Sequence, residues 1–225
     1  MLDIIYQDET LVAINKPHGL LVHRSKIAKD ASEFALQLLR DQLGRAVNPV
    51  HRLDRKTGGV LLFAFDKATE IAMQKQFQEG LVQKKYLAIV RGFTPDSLTI
   101  DYPLAKENGN MQEAITSFIT LQRAELALAS GKHASSRYSL VEAQPSTGRM
   151  HQLRRHFAHI FHPIIGDRPH GCNKQNRFFK EQFEMDTMLL HASSLLFCHP
   201  HTRQQIHLEA SLQEEFVRVM HILGI

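Results

Sequence analysis

The chain has 225 residues and a net charge of +4 at pH 7; 43% of its residues are hydrophobic and 22% are charged. This composition excludes a disordered chain and provides enough apolar side chains for the core of one large domain. No run of about 18 apolar residues occurs, so we expect no membrane-spanning helix and no membrane partner. The acidic first residues and the two isolated cysteines, Cys172 and Cys198, favour a cytoplasmic protein with reduced thiols.

Apolar periodicity and turn residues predict many strands and few helices. In chain order, the predicted elements are strands at 3–7 and 11–14, a helix at 31–43, a strand at 60–65, a helix from its N-cap Asp66 to Gly80, strands at 84–92, 98–103 and 114–122, loops at 106–112 and 130–135, a strand at 137–144, a helix at 149–161, an irregular basic loop at 165–180, strands at 189–198 and 205–210, and a helix from its N-cap Ser211 to Gly224. Strands and helices in this mixed order predict an α+β fold and not a doubly wound one.

One carboxylate lies inside a dense cluster of basic residues. Residues 51–59 read His-Arg-Leu-Asp-Arg-Lys-Thr-Gly-Gly, and Asp54 has Arg52, Arg55 and Lys56 as close neighbours. Adjacent cations favour the ionised form of a carboxylate, and the same cations neutralise phosphates. The segment therefore predicts a carboxylate nucleophile that acts on nucleic acid, and a charged turn with Asp54 as its cap is the structural alternative.

Positive charge is concentrated in one part of the chain. Residues 132–180 contain nine lysines and arginines and two acidic residues, so this stretch carries +7 and the remainder of the chain carries −3. A basic stretch on a mildly acidic body is typical of a surface that binds nucleic acid. A basic surface that is only solvated is the alternative.

Helical periodicity places an arginine on an apolar face of the predicted helix at 149–161. With Met150 at zero and about 100° per residue, Arg154 lies at about 40°, inside the apolar stripe, whereas Arg155 lies at about 140°. A buried guanidinium needs a partner, and a carboxylate is the best one. We therefore predict a buried ion pair between Arg154 and Asp54; an arginine that reaches past the edge of the face into solvent is the alternative.

The fourteen histidines raise the question of a metal site. His156, His159 and His162 are three residues apart, but successive members drift by about 60° around a helix, and Pro163 ends that helix. Zinc sites have further well-placed ligands and an organised outer layer of hydrogen bonds. The sequence therefore predicts no metal, and it predicts contacts with protein or phosphate for these side chains.

Three segments resemble the signatures of the RluA-type pseudouridine synthases. Residues 51–59 resemble HRLDxxTSG, residues 84–86 (Lys-Lys-Tyr) resemble a KxY motif, and residues 147–154 (Thr-Gly-Arg-Met-His-Gln-Leu-Arg) resemble TGRxHQxR. Residues 15–23 resemble the N-terminal segment of that family, whose role is more structural. The resemblance spans roughly residues 3–210, with the motifs in the family's order.

The resemblance implies a role for each matched residue. Asp54 is the nucleophile, Arg154 pairs with it, and Tyr86 lies against the target base, where its hydroxyl is available for proton transfer. Arg52 takes the place of the flipped base in the RNA helix. The other side chains expected to bind RNA are His51, Arg55, Lys56, Lys85, Arg149 and Arg155.

The resemblance also implies a fold and a reaction. The fold is the pseudouridine synthase catalytic fold, α+β, with a large mixed, mostly antiparallel sheet flanked by helices and loops. The reaction isomerises a uridine of RNA to pseudouridine after the base is flipped out of its stack. Nothing is oxidised or transferred to water, so no cofactor is expected. We expect a single catalytic domain over residues 1–225, without an added RNA-binding domain.

A branch of the family that modifies uridine 65 of tRNA has the closest resemblance, over residues 137–142, 151–167 and 170–177. We therefore expect tRNA as the partner, with its target in the acceptor and T-stem region. Action on rRNA or on both RNAs stays open, because substrate choice depends on loops. The sequence also leaves open a relative that binds RNA without catalysis and a glycosidase with paired carboxylates.

The chain departs from the signature at Gly58, where the family usually has serine. None of the roles given above uses that hydroxyl, so we expect a looser loop and an active enzyme. The sequence leaves open whether Asp54 reacts at C1′, C6 or C2′ of the nucleotide.

Overall fold

The computed structural model describes residues 1–23, 33–129 and 134–225 of the chain. Its strands are, in chain order, β1 (Asp3–Gln7), β2 (Leu11–Lys16), β3 (Asn48–Pro49), β4 (Gly58–Ala64), β5 (Gln83–Arg91), β6 (Ser97–Asp101), β7 (Leu104–Ala105), β8 (Met111–Gln112), β9 (Ile115–Leu126), β10 (Ser136–Pro145), β11 (Leu190–Cys198) and β12 (Gln205–Glu209). Its helices are α1 (Ala35–Leu43), α2 (Lys67–Gln78), α3 (Gln152–His159), α4 (Asn173–Phe183) and α5 (Glu214–Leu223).

One compact unit contains Met1–Lys84 and Ala192–Gln213. Its strands lie in the order β1-β2-β4-β11, with β3 beside β4 and β12 beside β11. Every residue of β2 and β4 is buried, which explains the continuous apolar runs at 11–14 and 60–64 without alternation. Leu62 of β4, Met73 of α2 and Phe197 of β11 belong to one core cluster, so α2 and the sheet share a hydrophobic core.

The pairing of β2 with β4 brings two functional segments together. In this antiparallel pair Lys16 faces Gly59. The end of β2 therefore lies beside the start of β4. The turn after β2, the anchor turn (residues 16–20), becomes a neighbour of the segment before β4, the Asp54 loop (residues 51–58).

A second compact unit contains Lys85–His191 and Glu214–Ile225. Its strands lie in the order β5-β10-β9-β6, and β7 and β8 form a separate hairpin. Helix α3 packs Leu153 and Phe157 into a core cluster that contains residues of β5, β9 and β10. Arg154 follows Leu153 on the same buried face and is only 8% exposed, so the buried arginine predicted from periodicity is confirmed.

Most predicted elements are present, with shifted ends. Asp66 caps α2 as predicted, because its side chain accepts a hydrogen bond from the Thr69 N–H at 2.8 Å. Helix α1 begins at Ala35, later than the predicted start, and residues 31–32 lie outside the described part of the chain. Residues 130–133 of the predicted loop at 130–135, with Lys132 of the basic stretch, also lie outside it.

The second half of the basic segment at 165–180 is helical, whereas the sequence predicts an irregular loop throughout; residues 165–172 are irregular as predicted. Helix α4 starts inside it and buries Gln175 and Phe179, one helical turn apart. The ring of Phe179 packs edge-on against Tyr138 of β10, with centroids 5.2 Å apart. Basic and polar residues separate the few buried positions of α4, so its apolar stripe is too sparse to be recognised in the sequence.

Helix α3 is shorter than predicted. His151 adopts a left-handed φ of 55° and Phe161 a left-handed φ of 66°, so the helix is confined to the residues between them. As a result, Met150 and Phe161, expected on the apolar face, are 54% and 87% exposed. Helical periodicity applies only to residues that are in the helix. Met150 and Phe161 lie outside α3, so their side chains are not on its buried face.

Three smaller differences concern element ends and short strands. The strand predicted at 114–122 continues to Leu126 as β9, and β8 lies within the loop predicted at 106–112. The last helix starts at Glu214 and not directly after Ser211.

The α+β class, with its mostly antiparallel sheet flanked by helices, is confirmed. Each strand pair whose register is described is antiparallel. The assignment of residues 1–225 to a single domain stays a prediction. None of the helices in the described residues has the length and apolarity needed to cross a membrane.

Candidate active site

The Asp54 loop forms a tight turn immediately before β4. The Thr57 N–H donates a hydrogen bond to the Asp54 carbonyl oxygen at 3.0 Å and closes the turn. Leu53 is buried, Asp54 is half-buried, and Arg52 is exposed. The chain thus buries its apolar side chain and leaves Asp54 partly exposed.

His51 anchors the start of this loop to the sheet. Its Nε2 accepts a hydrogen bond from the Leu62 N–H at 3.1 Å, and its ring stacks on Phe77 with centroids 4.9 Å apart. Burial, helped by the nearby positive charge of Lys84, lowers the pKa of His51 to about 4. The imidazole is therefore neutral at pH 7. Its predicted contact with RNA stays a prediction.

The anchor turn holds the Asp54 loop through the backbone of Arg55. The Gly19 N–H donates to the Arg55 carbonyl oxygen at 2.9 Å, and Arg55 Nε donates to the Gly19 carbonyl oxygen at 3.0 Å. The ammonium of Lys16, which is fully buried, donates to the same Arg55 carbonyl at 3.2 Å. Contacts from the end of β2 and from the turn after it therefore fix the backbone next to Asp54.

Lys16 is a fully buried lysine at the end of β2. Its ammonium also donates to the carbonyl oxygens of Pro17 and Leu20, at 3.0 and 2.8 Å. Burial lowers the pKa of Lys16 to about 7, while the negative charge of Asp54 acts in the opposite direction. Lys16 is thus electrostatically coupled to the predicted nucleophile, a role that the sequence does not reveal because the two residues are 38 positions apart.

The backbone at position 59, directly after the loop, requires glycine. Its φ is 108°, and a Cβ at this position would overlap the carbonyl oxygen of Ala192 in β11. Only glycine satisfies both conditions. The end of the signature segment therefore allows the close approach of β4 to β11.

Arg154 forms a bidentate ion pair with Asp167. Arg154 Nε donates to Oδ2 at 2.9 Å and Nη2 donates to Oδ1 at 2.8 Å, and Asp167 is only 1% exposed. A carboxylate partner for the buried guanidinium is therefore confirmed, although the sequence singles out a different one. The predicted pair between Arg154 and Asp54 stays a prediction. Asp167 had one signal in the sequence, since it is one of two acids in the basic stretch.

Helix α4 and two glycines hold Asp167 in place. Asn176 Nδ2 donates to the Asp167 carbonyl oxygen at 2.7 Å, and its Oδ1 accepts from the Gly166 N–H at 2.9 Å. Gly166 has a φ of 82°, and a Cβ there would overlap the carbonyl oxygen of Thr187, while a Cβ on Gly171 would overlap that of Asp167. The segment that the sequence predicts as a loop therefore orients the partner of Arg154.

Tyr86 lies on β5 against the core cluster of the second unit. It pairs with Ala143 of β10 and packs against the cluster to which Leu153 of α3 belongs. Its neighbour Lys85 forms an ion pair with Glu142 at 2.9 Å. Tyr86 is half-buried, so part of its ring surface is accessible. The predicted contact of Lys85 with RNA stays a prediction.

Two arginines predicted to bind RNA contact the β7–β8 hairpin region. Arg155 Nη1 donates to the Ala105 carbonyl oxygen at 3.0 Å, and Arg149 Nε donates to the Glu113 carbonyl oxygen at 2.9 Å. A guanidinium has five N–H donors, so these contacts leave others for phosphate. Both arginines therefore combine a structural contact with the predicted RNA contact, which stays a prediction.

The three spaced histidines have separate protein contacts. His156 places Nδ1 3.0 Å from Thr116 Oγ1 and Nε2 3.0 Å from the Tyr102 carbonyl oxygen, while the His159 ring stacks on Tyr102. His162 Nδ1 lies 2.8 Å from the Arg91 carbonyl oxygen. Within residues 1–23, 33–129 and 134–225, no group of three or more His, Cys, Asp or Glu side chains is arranged to hold a metal ion.

The predicted site residues fall into two groups. The first unit contains those of the Asp54 loop: His51, Arg52, Asp54, Arg55 and Lys56. The second unit contains the others: Lys85, Tyr86, Arg149, Arg154 and Arg155. Sequence reasoning missed the roles of Lys16, which faces the Asp54 loop, and of Asp167, which holds Arg154.

Comparison with known proteins shows the family to which this sequence belongs. The family described as RNA pseudouridylate synthase matches residues 10–159. The chain is 48% identical, over 235 residues, to tRNA pseudouridine synthase C of Vibrio cholerae; the match covers 100% of this chain and 96% of that protein. It is 44% identical to the protein of the same name from Haemophilus influenzae, with 100% and 98% covered.

Solved structures agree with this comparison. The human protein RNA pseudouridylate synthase domain containing 4 matches with a TM-score of 0.75 and 27% identity, covering 99% of this chain and 93% of that one. Human RNA pseudouridylate synthase domain containing 1 matches with a TM-score of 0.73 at 22% identity, covering 100% and 95%, which shows a shared fold.

Proposed function

Because this chain belongs to the RNA pseudouridylate synthase family and is an RNA pseudouridine synthase, we propose that it converts a uridine of tRNA to pseudouridine. The observation that carries the proposal is the 48% identity, over the whole chain, with tRNA pseudouridine synthase C of Vibrio cholerae. We propose uridine 65, in the acceptor and T-stem region, as the target. The resemblance of residues 151–167 and 170–177 to the tRNA-modifying branch supports this position.

Asp54 is the proposed nucleophile. The target uridine is flipped out of its stack, because its reactive atoms are inaccessible inside a helix. The bond between C1′ and N1 breaks, the uracil rotates, and a bond forms between C1′ and C5. The proton leaves C5 and N1 ends protonated, so substrate and product have the same atoms and no cofactor or water is consumed. The half-buried position of Asp54, on a loop held at Arg55 and Thr57, supports a fixed carboxylate.

Arg154 and Tyr86 are the proposed partners of Asp54. Asp167 binds Nε and Nη2 of Arg154 and so fixes the plane of the guanidinium, which supports the proposed pair with Asp54. An arginine whose orientation is fixed by one carboxylate is well suited to orient another. Tyr86 packs on the flipped base with the part of its ring that is accessible from β5.

The remaining predicted residues have proposed roles in binding RNA. Arg52 is exposed and replaces the flipped base in the helix. Arg55, Lys56, Lys85, Arg149 and Arg155 are the residues proposed to contact phosphates of the RNA backbone. His51 contributes to RNA binding through the Asp54 loop, because its neutral ring positions the segment that carries Arg55 and Lys56.

Mapping pseudouridine in two RNAs tests the substrate. Unmodified tRNA and rRNA transcripts are incubated with the protein, and pseudouridine is located by chemical modification and primer extension. We expect one new pseudouridine in tRNA, at position 65, and none in rRNA. Modification of rRNA alone would refute tRNA as the substrate, and modification at another tRNA position would refute the proposed target.

Replacing Asp54 tests the nucleophile. Asp54→Asn keeps the shape of the side chain and removes its charge, so we expect loss of turnover with tRNA binding nearly unchanged. Asp41→Asn, at an exposed carboxylate of α1, is the matched control and should retain full activity. Turnover by the Asp54 variant at the wild-type rate would refute the assignment.

A further inference from the structure

Position 58 has no room for a side chain. A Cβ built on Gly58 would overlap Cδ2 of His18 and lie 2.6 Å from its Nε2 and 3.2 Å from Cγ of Gln213. Carbon atoms in favourable contact are about 3.5–4.0 Å apart, so any side chain here requires the imidazole to move. Backbone conformation is not the reason for glycine, because Gly58 lacks the positive φ of Gly59.

Both residues that enclose position 58 are anchored, His18 through the backbone of the turn that carries it and Gln213 through its side chain. His18 lies on the anchor turn, directly before Gly19, which is hydrogen-bonded to Arg55 in both directions, and its Nε2 is buried. Gln213 donates through Nε2 to Asn15 Oδ1 at 3.0 Å, and Asn15 Nδ2 donates to the Ser211 carbonyl oxygen at 2.9 Å. The space at position 58 is therefore a defined contact between β4 and its neighbours.

We propose that His18 is a positioning residue for the Asp54 loop, and that its imidazole fills the space of the serine side chain that the family signature has at position 58. The proposal deepens the proposed function and rests on it, because positioning of this loop affects catalysis only if Asp54 reacts. The His18 ring then compensates for the serine side chain that is missing at position 58. The loop is therefore packed, whereas the sequence led us to expect a looser loop.

The imidazole sets the distance between the anchor turn and the loop. Two hydrogen bonds between Gly19 and Arg55 draw the loop toward the turn. The ring of His18 against Gly58 limits how closely the two can approach. An attraction at Arg55 and a spacer at Gly58 together fix the part of the loop that follows Asp54. Small displacements of a reacting group lower rates steeply, so loss of the spacer should affect the chemical step more than tRNA binding.

A double-mutant cycle tests the proposal with three variants, His18→Ala, Gly58→Ser and the combination of both. The readouts are the single-turnover rate on a tRNA transcript, KM, and Tm. We expect each single variant to lower the rate about 10-fold with KM within about twofold of wild type. Gly58→Ser should also lower Tm by about 3–8 °C through overpacking. The double variant should recover the rate to within about threefold of wild type and regain most of the Tm.

The cycle separates this proposal from the proposed function. Rate losses that multiply in the double variant would overturn the positioning role of His18. Recovery of Tm without recovery of the rate would also overturn it, because His18 would then have only a packing role. A wild-type protein that forms no pseudouridine would instead contradict the proposed function. His207→Ala, at an exposed histidine of β12, is the control and should change none of the readouts.

Discussion

Arg154 shows at the scale of one residue how a buried charge depends on its partner. Its guanidinium and the Asp167 carboxylate are both almost completely removed from solvent and share two hydrogen bonds. Such a pair adds little net stability, because desolvation offsets most of the attraction. Removal of one member is costly, because the other charge is then buried without compensation. Orientation of Arg154 is therefore the main benefit of the pair.

Asp167→Asn should destabilise the protein and slow catalysis together. The change leaves Arg154 facing a neutral amide, and breaking a buried pair costs about 3–5 kcal/mol. We expect the free energy of unfolding in urea to fall by about 3 kcal/mol, and kcat to fall more than KM changes. Asp96→Asn removes an exposed partner of Arg123 and should cost less than about 1 kcal/mol. Equal stability of the two variants would contradict the structural role given to Asp167.

The enclosed ring of His51 should make the protein sensitive to acid. The pKa of His51 in the folded protein is about 4, below its ordinary 6.5, so the unfolded chain binds a proton first as the pH falls. Stability from this residue is therefore fully present above pH 6.5 and is lost as the pH falls toward 4. In His51→Gln, which keeps an acceptor for the Leu62 N–H, we expect the loss between pH 7 and pH 4 to be smaller by about 1–3 kcal/mol.

Urea unfolding at pH 7, 6, 5 and 4 measures this difference. His207→Gln, at an exposed histidine, should follow the wild-type curve. The wild type and His51→Gln have the other histidines in common, so the difference between their curves isolates His51. Identical pH dependence of the two proteins would show that the ring of His51 does not remain neutral.

At the scale of elements, the site consists of the Asp54 loop, which is one local segment, and of residues from other elements that hold the site residues in place. The acidic and basic side chains of the Asp54 loop are adjacent in the chain, so their pattern was readable. The burial of Arg154 was readable too, because a few residues of one helix suffice to define a face. The roles of Lys16 and His18 toward the Asp54 loop depend on strand register, and the role of Asn176 depends on the formation of α4, so no local pattern marks them. Tertiary contacts of this kind are set by packing and not by local pattern.

Lys16→Met should loosen the Asp54 loop without removing any group proposed to touch RNA. Methionine fills the buried space but donates no hydrogen bond, so the carbonyl oxygens of Pro17, Leu20 and Arg55 lose their shared donor. We expect kcat on tRNA to fall about 10-fold and KM to stay within about twofold. Lys75→Met, at an exposed lysine of α2, is the matched control and should be as active as the wild type. A change in KM alone would point to RNA binding instead of loop positioning.

At the scale of the whole molecule, the apolar runs predicted the strands and the charge pattern predicted a binding surface. The strands were recoverable because β2 and β4 are buried on both faces and contain the continuous apolar runs 11–14 and 60–64. Helix α4 was not, since its buried positions lie between lysines and arginines that remain exposed. Together with Arg168, the same lysines and arginines provide the exposed positive charge of residues 165–180. A helix with a sparse apolar face leaves most of its surface available for a polyanion.

The exposed cations of α4 should account for part of the salt dependence of tRNA binding. Lys174, Arg177 and Lys180 are exposed and three residues apart, so they follow one another along one side of the helix. Each phosphate contact contributes about 0.7–0.9 to the slope of log affinity against log salt concentration. In the triple glutamine variant, we expect the magnitude of that slope to fall by about 2–3 and the affinity at low salt to fall with it.

Titration of labelled tRNA at several salt concentrations measures the slope. Lys67→Gln combined with Lys75→Gln changes two exposed lysines of α2 that are already paired with Glu70 and Glu79, so this control should keep the wild-type slope. Binding should weaken by similar factors for different tRNA sequences, because phosphate contacts carry no sequence information. An unchanged slope in the triple variant would mean that α4 faces away from the bound RNA, and its basic residues would then only solvate the surface.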